Sequence, residues 1–323
     1  MPTESTFTRR SGASVQHMPG VFHTGEIAVQ QRVGERLLAQ RRGGMIRDRL
    51  VEGARAFLRS QGVAAVSAAA PDGSLWASLW CGAPGFLRGD EHGERVDVVS
   101  ALDHTLAVDP VRPLIRAGEP LGMLVIDFET RRRLRVNGIV ERVDGKDLEL
   151  RVQETFGNCM KYIQQRHRTD DSPGGAVPPV EEGGALDDDR RAFIARTDTL
   201  FVASIHPQRG LDVSHRGGHP GFVHVDDERT LRVPDYEGNA MYQTLGNFAV
   251  DGRAGLALID FDRRRVLSLT GRVTVEFDAE YLHHPTGGTG RYWSFKTHRW
   301  VEFSLPSTMT WTLIERSPFN PRY

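Results

Sequence analysis

The sequence predicts a mainly β (α+β) protein built as two tandem antiparallel barrels. Three observations carry that prediction: an internal repeat, short strands bounded by hairpin turns, and a Gly-, Pro- and acid-rich stretch between the two copies. Arg55-Ala56-Phe57 returns as Arg191-Ala192-Phe193, and Pro84-Gly85-Phe86 as Pro220-Gly221-Phe222, both 136 residues on. Asp127-Phe128 returns as Asp260-Phe261, Arg131-Arg132 as Arg264-Arg265, Leu134 as Leu267 and Gly138 as Gly271, each 133 residues on. One loop therefore differs in length by three residues, and a period this long marks a duplicated domain, not a solenoid.

Residues 1–50 read as an N-terminal arm, loose over 1–20 and partly helical around Val29 to Gln40. The first barrel is placed at 51–168. A short helix from Asp48 to Ser60 precedes a strand at 63–68, a Pro71-Asp72-Gly73 turn, and strands at 122–128, 133–143 and 148–155. Residues 169–189 carry Gly, Pro and acid but almost no large apolar side chains. Such a stretch cannot bury enough surface to order itself and reads as a mobile linker. The second barrel, 190–323, repeats the order: a helix from Leu186 to Thr197, a strand at 199–205, a turn at Pro207 to Gly210, and strands at 254–261 and 266–277. The triplets Arg131–Arg133 and Arg263–Arg265 fall between strands and read as solvated turns.

Composition narrows the function. The 323 residues hold 41 Lys+Arg against 42 Asp+Glu, a net charge of −1, without the positive excess that nucleic acid or an anionic membrane demands. Charged residues at 26% and hydrophobic residues at 39% suit a chain with a real core. No apolar run is long enough for a transmembrane helix, and the first twenty residues lack the apolar centre of a secretory signal, so a cytoplasmic protein is expected. Cys81 and Cys159 allow one disulfide at most and form no metal-binding pair.

Two segments of the second copy differ from ordinary barrel filler. In Asp212 to Phe222 (DVSHRGGHPGF) a strand runs into a Gly-rich bend with Arg216 just before it. In Pro234 to Asn247 (PDYEGNAMYQTLGN) a strand ends near Val233 and a helix is expected to start near Gly238 or Asn239. A helix start rich in Gly and Asn offers unpaired N–H groups and the positive end of the dipole, and Arg216 adds a bidentate guanidinium. Together they suit a phosphate. Taken singly, the same segments describe a hairpin bend and a capped helix.

Together, these segments resemble the flavin-binding signature of the pyridoxamine 5'-phosphate oxidase-like split-barrel family. The match is to a branch with a His-Arg-Gly-Gly-x-Pro-Gly-Phe strand, here His215 to Phe222, and a Gly-Asn-x-x-Tyr-x-Thr-Leu-Gly-Asn helix, here Gly238 to Asn247. It extends to Phe22–Gly34, Phe156–Gln164 and Ser317–Pro321, and so spans nearly the whole chain. The resemblance implies two split barrels forming an intrachain pseudo-dimer, with FMN between them. It implies that Arg216 holds the phosphate, helped by Gly238, Asn239 and the N–H groups around Ala240 and Met241. Ser214 and His215 would lie beside the ribityl phosphate or the flavin edge, and Asp235 and Tyr236 would meet the ring through backbone groups. Asn247 would either close the phosphate pocket or cap the helix.

The first copy departs from this pattern. Trp80 stands where the second has Arg216, and Leu102 to Pro110 replaces the Gly-Asn helix, with Asp109-Pro110 adding a carboxylate and removing an N–H. One working flavin pocket per chain follows, with the first copy as built-in partner. Its segment Gly157 to Gln164 would then supply Lys161 and Tyr162 to the flavin or substrate. Alternatively, that segment is a helix start covering the barrel end.

His283-His284 makes a poor metal site, since adjacent side chains of an extended segment diverge. Thr286 to Gly290 lacks the Lys of a P-loop. Two function classes remain: an FMN-dependent oxidoreductase acting on a small organic substrate with NAD(P)H or O2 as redox partner, and a flavin- or haem-binding protein without turnover. The chain is expected as a monomeric pseudo-dimer or a homodimer, and true pyridoxamine-phosphate oxidase activity is not expected.

Overall fold

The computed structural model describes residues 20–99, 108–170, 178–279 and 285–322. The chain opens with three helices: α1 (Thr24–Arg32), α2 (Arg36–Gly43) and α3 (Glu52–Ser60). A capping box starts α1. The His23 ring accepts from the Gly25 N–H, and the Glu26 carboxylate accepts from the His23 N–H at 2.8 Å.

The first sheet comprises β1 (Val63–Ala69), β2 (Leu75–Cys81), β3 (Leu87–Gly89), β4 (Arg95–Val98), β5 (Pro120–Asp127), β6 (Arg132–Asp144) and β7 (Asp147–Asn158). Its spatial order is β2-β1-β5-β6-β7-β4-β3, every pairing antiparallel. Two short strands follow, β8 (Gln165–Thr169) and β9 (Glu181–Gly183), then α4 (Asp188–Arg196). The second sheet holds β10 (Thr199–His206), β11 (Gly210–Gly217), β12 (His224–Val225) and β13 (Thr230–Pro234). After α5 (Gln243–Val250) come β14 (Arg253–Asp260), β15 (Arg265–Glu276) and β16 (Tyr292–Ser304). Its order, β11-β10-β14-β15-β16-β13-β12, matches the first strand for strand. Equivalent turns even share their strain. Arg131 and Arg264, 133 residues apart, both sit at positive φ (57° and 56°).

The stretch between the sheets is more ordered than its composition suggests. Residues 171–177 lie outside the described residues, but β9 pairs with β16, Leu186 is buried, and the Asp187 carboxylate caps α4 by accepting from the Arg190 N–H. The acidic run that reads as solvated linker thus includes a helix cap, the role its chemistry favours beside a helix N-terminus. β17 (Thr310–Glu315) leaves the second half and pairs with β8, lacing the chain's end to the segment after the first sheet.

Strands β1, β2, β5, β10 and β14 are buried along nearly their whole length and read as largely apolar runs, while the equally buried β11 alternates, with Asp212, Ser214 and Arg216 on one face and Leu211, Val213 and His215 on the other. The period of two survives as a choice between cores. Ala64 and Val66 face a core private to the first half, and Leu200 and Val202 face one private to the second. The alternate residues Val63, Ala65, Leu124, Phe201, Ala203 and Ala257 meet in a third core shared by both halves.

Close approach across that shared core requires two glycines at equivalent positions. A Cβ on Gly122 of β5 would lie 3.1 Å from the backbone of Asp212 in β11, and one on Gly255 of β14 would lie 2.7 Å from the Leu75 carbonyl oxygen of β2. Gly255→Ala is therefore expected to destabilise the protein by about 1–3 kcal/mol through overpacking against rigid backbone, read as a lowered midpoint in urea unfolding at unchanged slope.

Candidate functional site

A cleft opens where β6 of the first half faces β11 of the second. From the first half it takes Arg133, Arg135, Asn158, Cys159, Lys161 and Tyr162. From the second it takes Ser214, His215, Arg216, Asp235, Tyr236 and the stretch that leads into α5. Residues far apart in sequence thus share one wall, because strand side chains alternate and those at 133, 135, 214 and 216 fall on facing surfaces.

Three guanidinium groups converge there. Arg216 lies 3.4 Å from Asp235 through Nη2, while its Nε is buried without a partner among the described residues. Asp235 is shared, since it also receives Arg291 Nε at 2.9 Å. Arg135 is buried against Asp212 at 2.8 Å and donates to the Ser214 hydroxyl and the Val213 carbonyl. Arg133 has no carboxylate partner among the described residues. It donates to the carbonyls of Cys159 and Lys161, and its Nε is left without a partner. Burial, with Arg216 and Arg135 nearby, pushes the Arg133 guanidinium down to about 9, which still leaves it cationic at neutral pH.

His215 adds a neutral donor. Burial, and then the adjacent Arg133, hold its imidazole well below the usual histidine range. Arg133 Nη1 lies 3.1 Å from His215 Nδ1, and because arginine only donates, Nδ1 must accept and the ring proton resides on Nε2. That Nε2–H has no partner among the described residues. The start of α5 supplies more donors. It has no side-chain cap, its first backbone bond runs from the Gly246 N–H to the Tyr242 carbonyl, and residues 242–245 line the cleft. The leading N–H groups of the helix therefore lack intrahelical acceptors.

The structure differs from the sequence expectation in several places. The helix begins at Gln243, not near Gly238, because Ala240 (φ 59°) and Tyr242 (φ 62°) hold left-handed conformations that no helix can include. Gly238, Asn239 and Ala240 line the cleft as a turn. Met241 does not line it. Its N–H is taken by Asn239 Oδ1 (3.1 Å), its carbonyl by Gln30 Nε2 (2.8 Å), and its side chain packs with Phe22, Ala39 and Phe156. Asn247 lies outside the cleft, mid-helix, bonded to the His23 ring (3.0 Å) and to the Ser204 hydroxyl (2.9 Å). Asp235 is in place, but its backbone is spent: its N–H donates to the Arg291 carbonyl and its carbonyl accepts from the Thr289 hydroxyl. The Tyr236 ring packs against that of Tyr162 at a tilt of 41° with centroids 5.0 Å apart, and Lys161 lies 3.3 Å from Glu237. Arg133 and Arg135 are the functional candidates that sequence reasoning missed. Only the repeat could have marked them, since their second-half equivalents are the uncharged Val266 and Ser268.

The equivalent position of the first half is closed. The Ser78 hydroxyl and Trp80 Nε1 both bond the Asp109 carboxylate, which also accepts from the N–H groups of Val111 and Arg112. Ser78 and Trp80 correspond to Ser214 and Arg216, so an internal carboxylate sits against the residues that match the second half's open donors. Burial pushes Asp109 up to about 6, against the pull of those hydrogen bonds. Residues 102–107 of this segment, and His283-His284, lie outside the described residues. Both cysteines are free: Cys81 is buried, and burial pushes its thiol up to about 12, while Cys159 lines the cleft. No group that could hold a metal ion occurs among the described residues, and none of their helices is long and apolar enough to cross a membrane.

The motifs at the chain's ends brace the cleft without lining it. Gln164 Nε2 donates to the Gly218 carbonyl, and its Oε1 accepts from the Ser317 N–H and Asn320 Nδ2. The Ser317 hydroxyl in turn accepts from the Tyr162 N–H. At the other end α1 crosses α5 so tightly that a Cβ on Gly25 would lie 2.2 Å from the Gly246 carbonyl oxygen.

The sequence matches no protein-family model and no curated protein. Part of the chain aligns with several solved structures. HupZ from Group A Streptococcus aligns at 11% identity and a TM-score of 0.28, covering 41% of this chain and 98% of its own. An FAD-binding protein from Mesorhizobium loti aligns at 8% identity and a TM-score of 0.27, covering 40% of this chain and 100% of its own. A Clostridium acetobutylicum protein of the pyridoxinephosphate oxidase family, related to general stress protein 26 of B. subtilis, aligns at 9% identity and a TM-score of 0.23, covering 39% and 92%.

Behind the cleft, α1 docks through a buried titratable cluster. Burial pushes Glu26 up to about 8 and Glu154 up to about 7, with Asp212 adding repulsion and Arg209 opposing it. Burial, with His206 nearby, pushes His23 down to about 4. A carboxyl raised in the folded state holds its proton more tightly there than in the unfolded chain. Its stabilising contribution is complete below the unfolded value near 4.5 and is lost as pH rises toward 8. Glu26 is therefore expected to contribute a loss of stability from pH 5 to pH 8, and Glu26→Gln to remove that contribution, read as the difference between wild-type and variant denaturation midpoints at the two pH values. Equal slopes in both proteins would show that Glu26 is not protonated in the fold.

Proposed function

We propose that the chain is an FMN-dependent oxidoreductase with one flavin site, set between two tandem split barrels that form an intrachain pseudo-dimer. The observation that carries this reading is the set of unmet donors in the cleft: Arg216 Nε, Arg133 Nε, His215 Nε2 and the uncapped start of α5. Buried donors without acceptors are costly, and their convergence suits a ligand that brings several anionic oxygens. Arg216 with Gln243 and Thr244 at the helix start would hold the FMN phosphate. The Tyr162–Tyr236 pair would border the ring. Arg133, Lys161 and His215 would offer positive charge and a hydrogen bond to its polar edge. Bound FMN supplies hydride or single-electron transfer. The chain's own residues position it, exclude water and balance its charge. In the first half the Asp109 carboxylate already takes the matching donors, which supports one flavin per chain. A small organic substrate, with NAD(P)H or O2 as second redox partner, completes the reading.

Titration of the full chain with FMN is expected to reach about one flavin per chain. Arg216→Ala is expected to weaken binding by about tenfold to a hundredfold, the worth of a charge-assisted hydrogen bond. A value near two flavins, or unchanged affinity in the variant, refutes the assignment. Bleaching of bound flavin by NAD(P)H with recovery in air marks turnover, and a flavin that neither nicotinamide reduces marks carriage without catalysis.

A further inference from the structure

Beside the cleft lies a second, more open groove of about 1150 Å³, walled by the segment between α2 and α3, by the start of β6 and by the end of β7. Arg133 and Asn158 line both spaces, so the two share a wall. Met45, Val51 and Met160 give the groove exposed apolar surface, and Phe57 lines it as well. Such surface in a concave site is uncommon unless something covers it.

Its charge is one-sided. Five arginines line it, and no acidic side chain does. Two of the five are neutralised from outside: Arg49 by Asp48 (3.5 Å) and Glu94 (3.9 Å), and Arg131 by Glu315 (2.6 Å). The other three, Arg47, Arg132 and Arg133, have no carboxylate partner among the described residues. Arg132 merely lies over the Phe57 ring at 4.9 Å. In a chain with a net charge of −1, three unpaired guanidinium groups around one apolar groove are a local departure from the average.

We infer that this groove is a binding site for a small organic anion: a flat apolar body carrying a carboxylate or phosphate. The body would cover the apolar surface, and the anionic group would be clamped by Arg47 and Arg132. Bound there, the ligand abuts the cleft across Arg133 and Asn158. That is the place of a substrate beside a cofactor, and only this last step rests on the flavin reading.

The experiment uses the full chain, alone and with FMN added, titrated calorimetrically with 2-naphthoate, 2-naphthyl phosphate and the neutral 2-naphthol. Both anions are expected to bind at least about tenfold more tightly than 2-naphthol. The double variant Arg47→Ala/Arg132→Ala removes two exposed side chains outside the cleft. It is expected to weaken both anions by about tenfold or more while leaving 2-naphthol and FMN binding unchanged. The tighter of the two anions tells carboxylate from phosphate. Equal binding of neutral and anionic probes, or anion affinity retained in the double variant, overturns the inference. So does anion binding that is lost in Arg216→Ala, which would place the probe in the cleft. Failure of FMN to bind while the Arg47/Arg132 dependence persists would refute the cofactor reading and leave the groove standing.

Discussion

The cleft exists because two sheets are pressed together through strands that are buried on both faces. In most antiparallel sheets one side meets water and the sequence alternates. Here β1, β5, β10 and β14 are largely apolar and alternation decides which of two cores a side chain enters, while β11 turns Ser214 and Arg216 into the cleft. The shared core fixes β5 against β11 and β14 against β2 at glycine-to-backbone distance, which leaves little freedom for sliding. The facing of β6 to β11, and hence the meeting of Arg133 and Arg135 with Ser214 and Arg216, is a consequence of that packing.

The same strand order is used twice, yet only one of the two equivalent places is open. In the first half an indole replaces the guanidinium, and the Asp109 carboxylate satisfies the donors from within. In the second half the acceptors are fewer than the donors. Asp235 divides itself between Arg216 and Arg291, Asp212 serves Arg135, and Arg133, reaching in from the first half, has only carbonyl oxygens and the His215 ring as acceptors. The asymmetry is electrostatic: in one place a carboxylate of the chain itself takes the donors, and in the other cationic donors outnumber their acceptors.

Much of this was legible in the sequence, for identifiable reasons. The repeat offsets, the hairpin turns and the order of elements follow from local signals, and the helices and strands fall within a few residues of their expected bounds. Arg216, Ser214 and His215 were legible because a Gly-rich bend follows them. The start of α5 was misplaced because Ala240 and Tyr242 take left-handed backbone, which a preference for Gly or Asn would not flag at these residues. Asn247 was misassigned because its partners, His23 and Ser204, lie far off in sequence. Arg133 and Arg135 escaped for the same reason. An arginine at the start of a strand reads as solvated until the opposing half is brought over it.

The peripheral motifs show how such a cleft is kept open. Guanidinium groups clustered with fewer carboxylates than cations repel one another, and loops collapsing onto them would relieve that repulsion. Two rigid braces oppose that. Gln164, Ser317 and Asn320 pin the strand-end segment that carries Lys161 and Tyr162, while α1 pins α5 through His23, Gln30 and the Gly25–Gly246 crossing. These residues touch no candidate ligand, yet they hold the donors apart at a cost in stability that a bound anion would return by mass action. The stability of the fold and the occupancy of the cleft are therefore one linked quantity, and the motifs at both ends of the chain belong to the site as much as the arginines do.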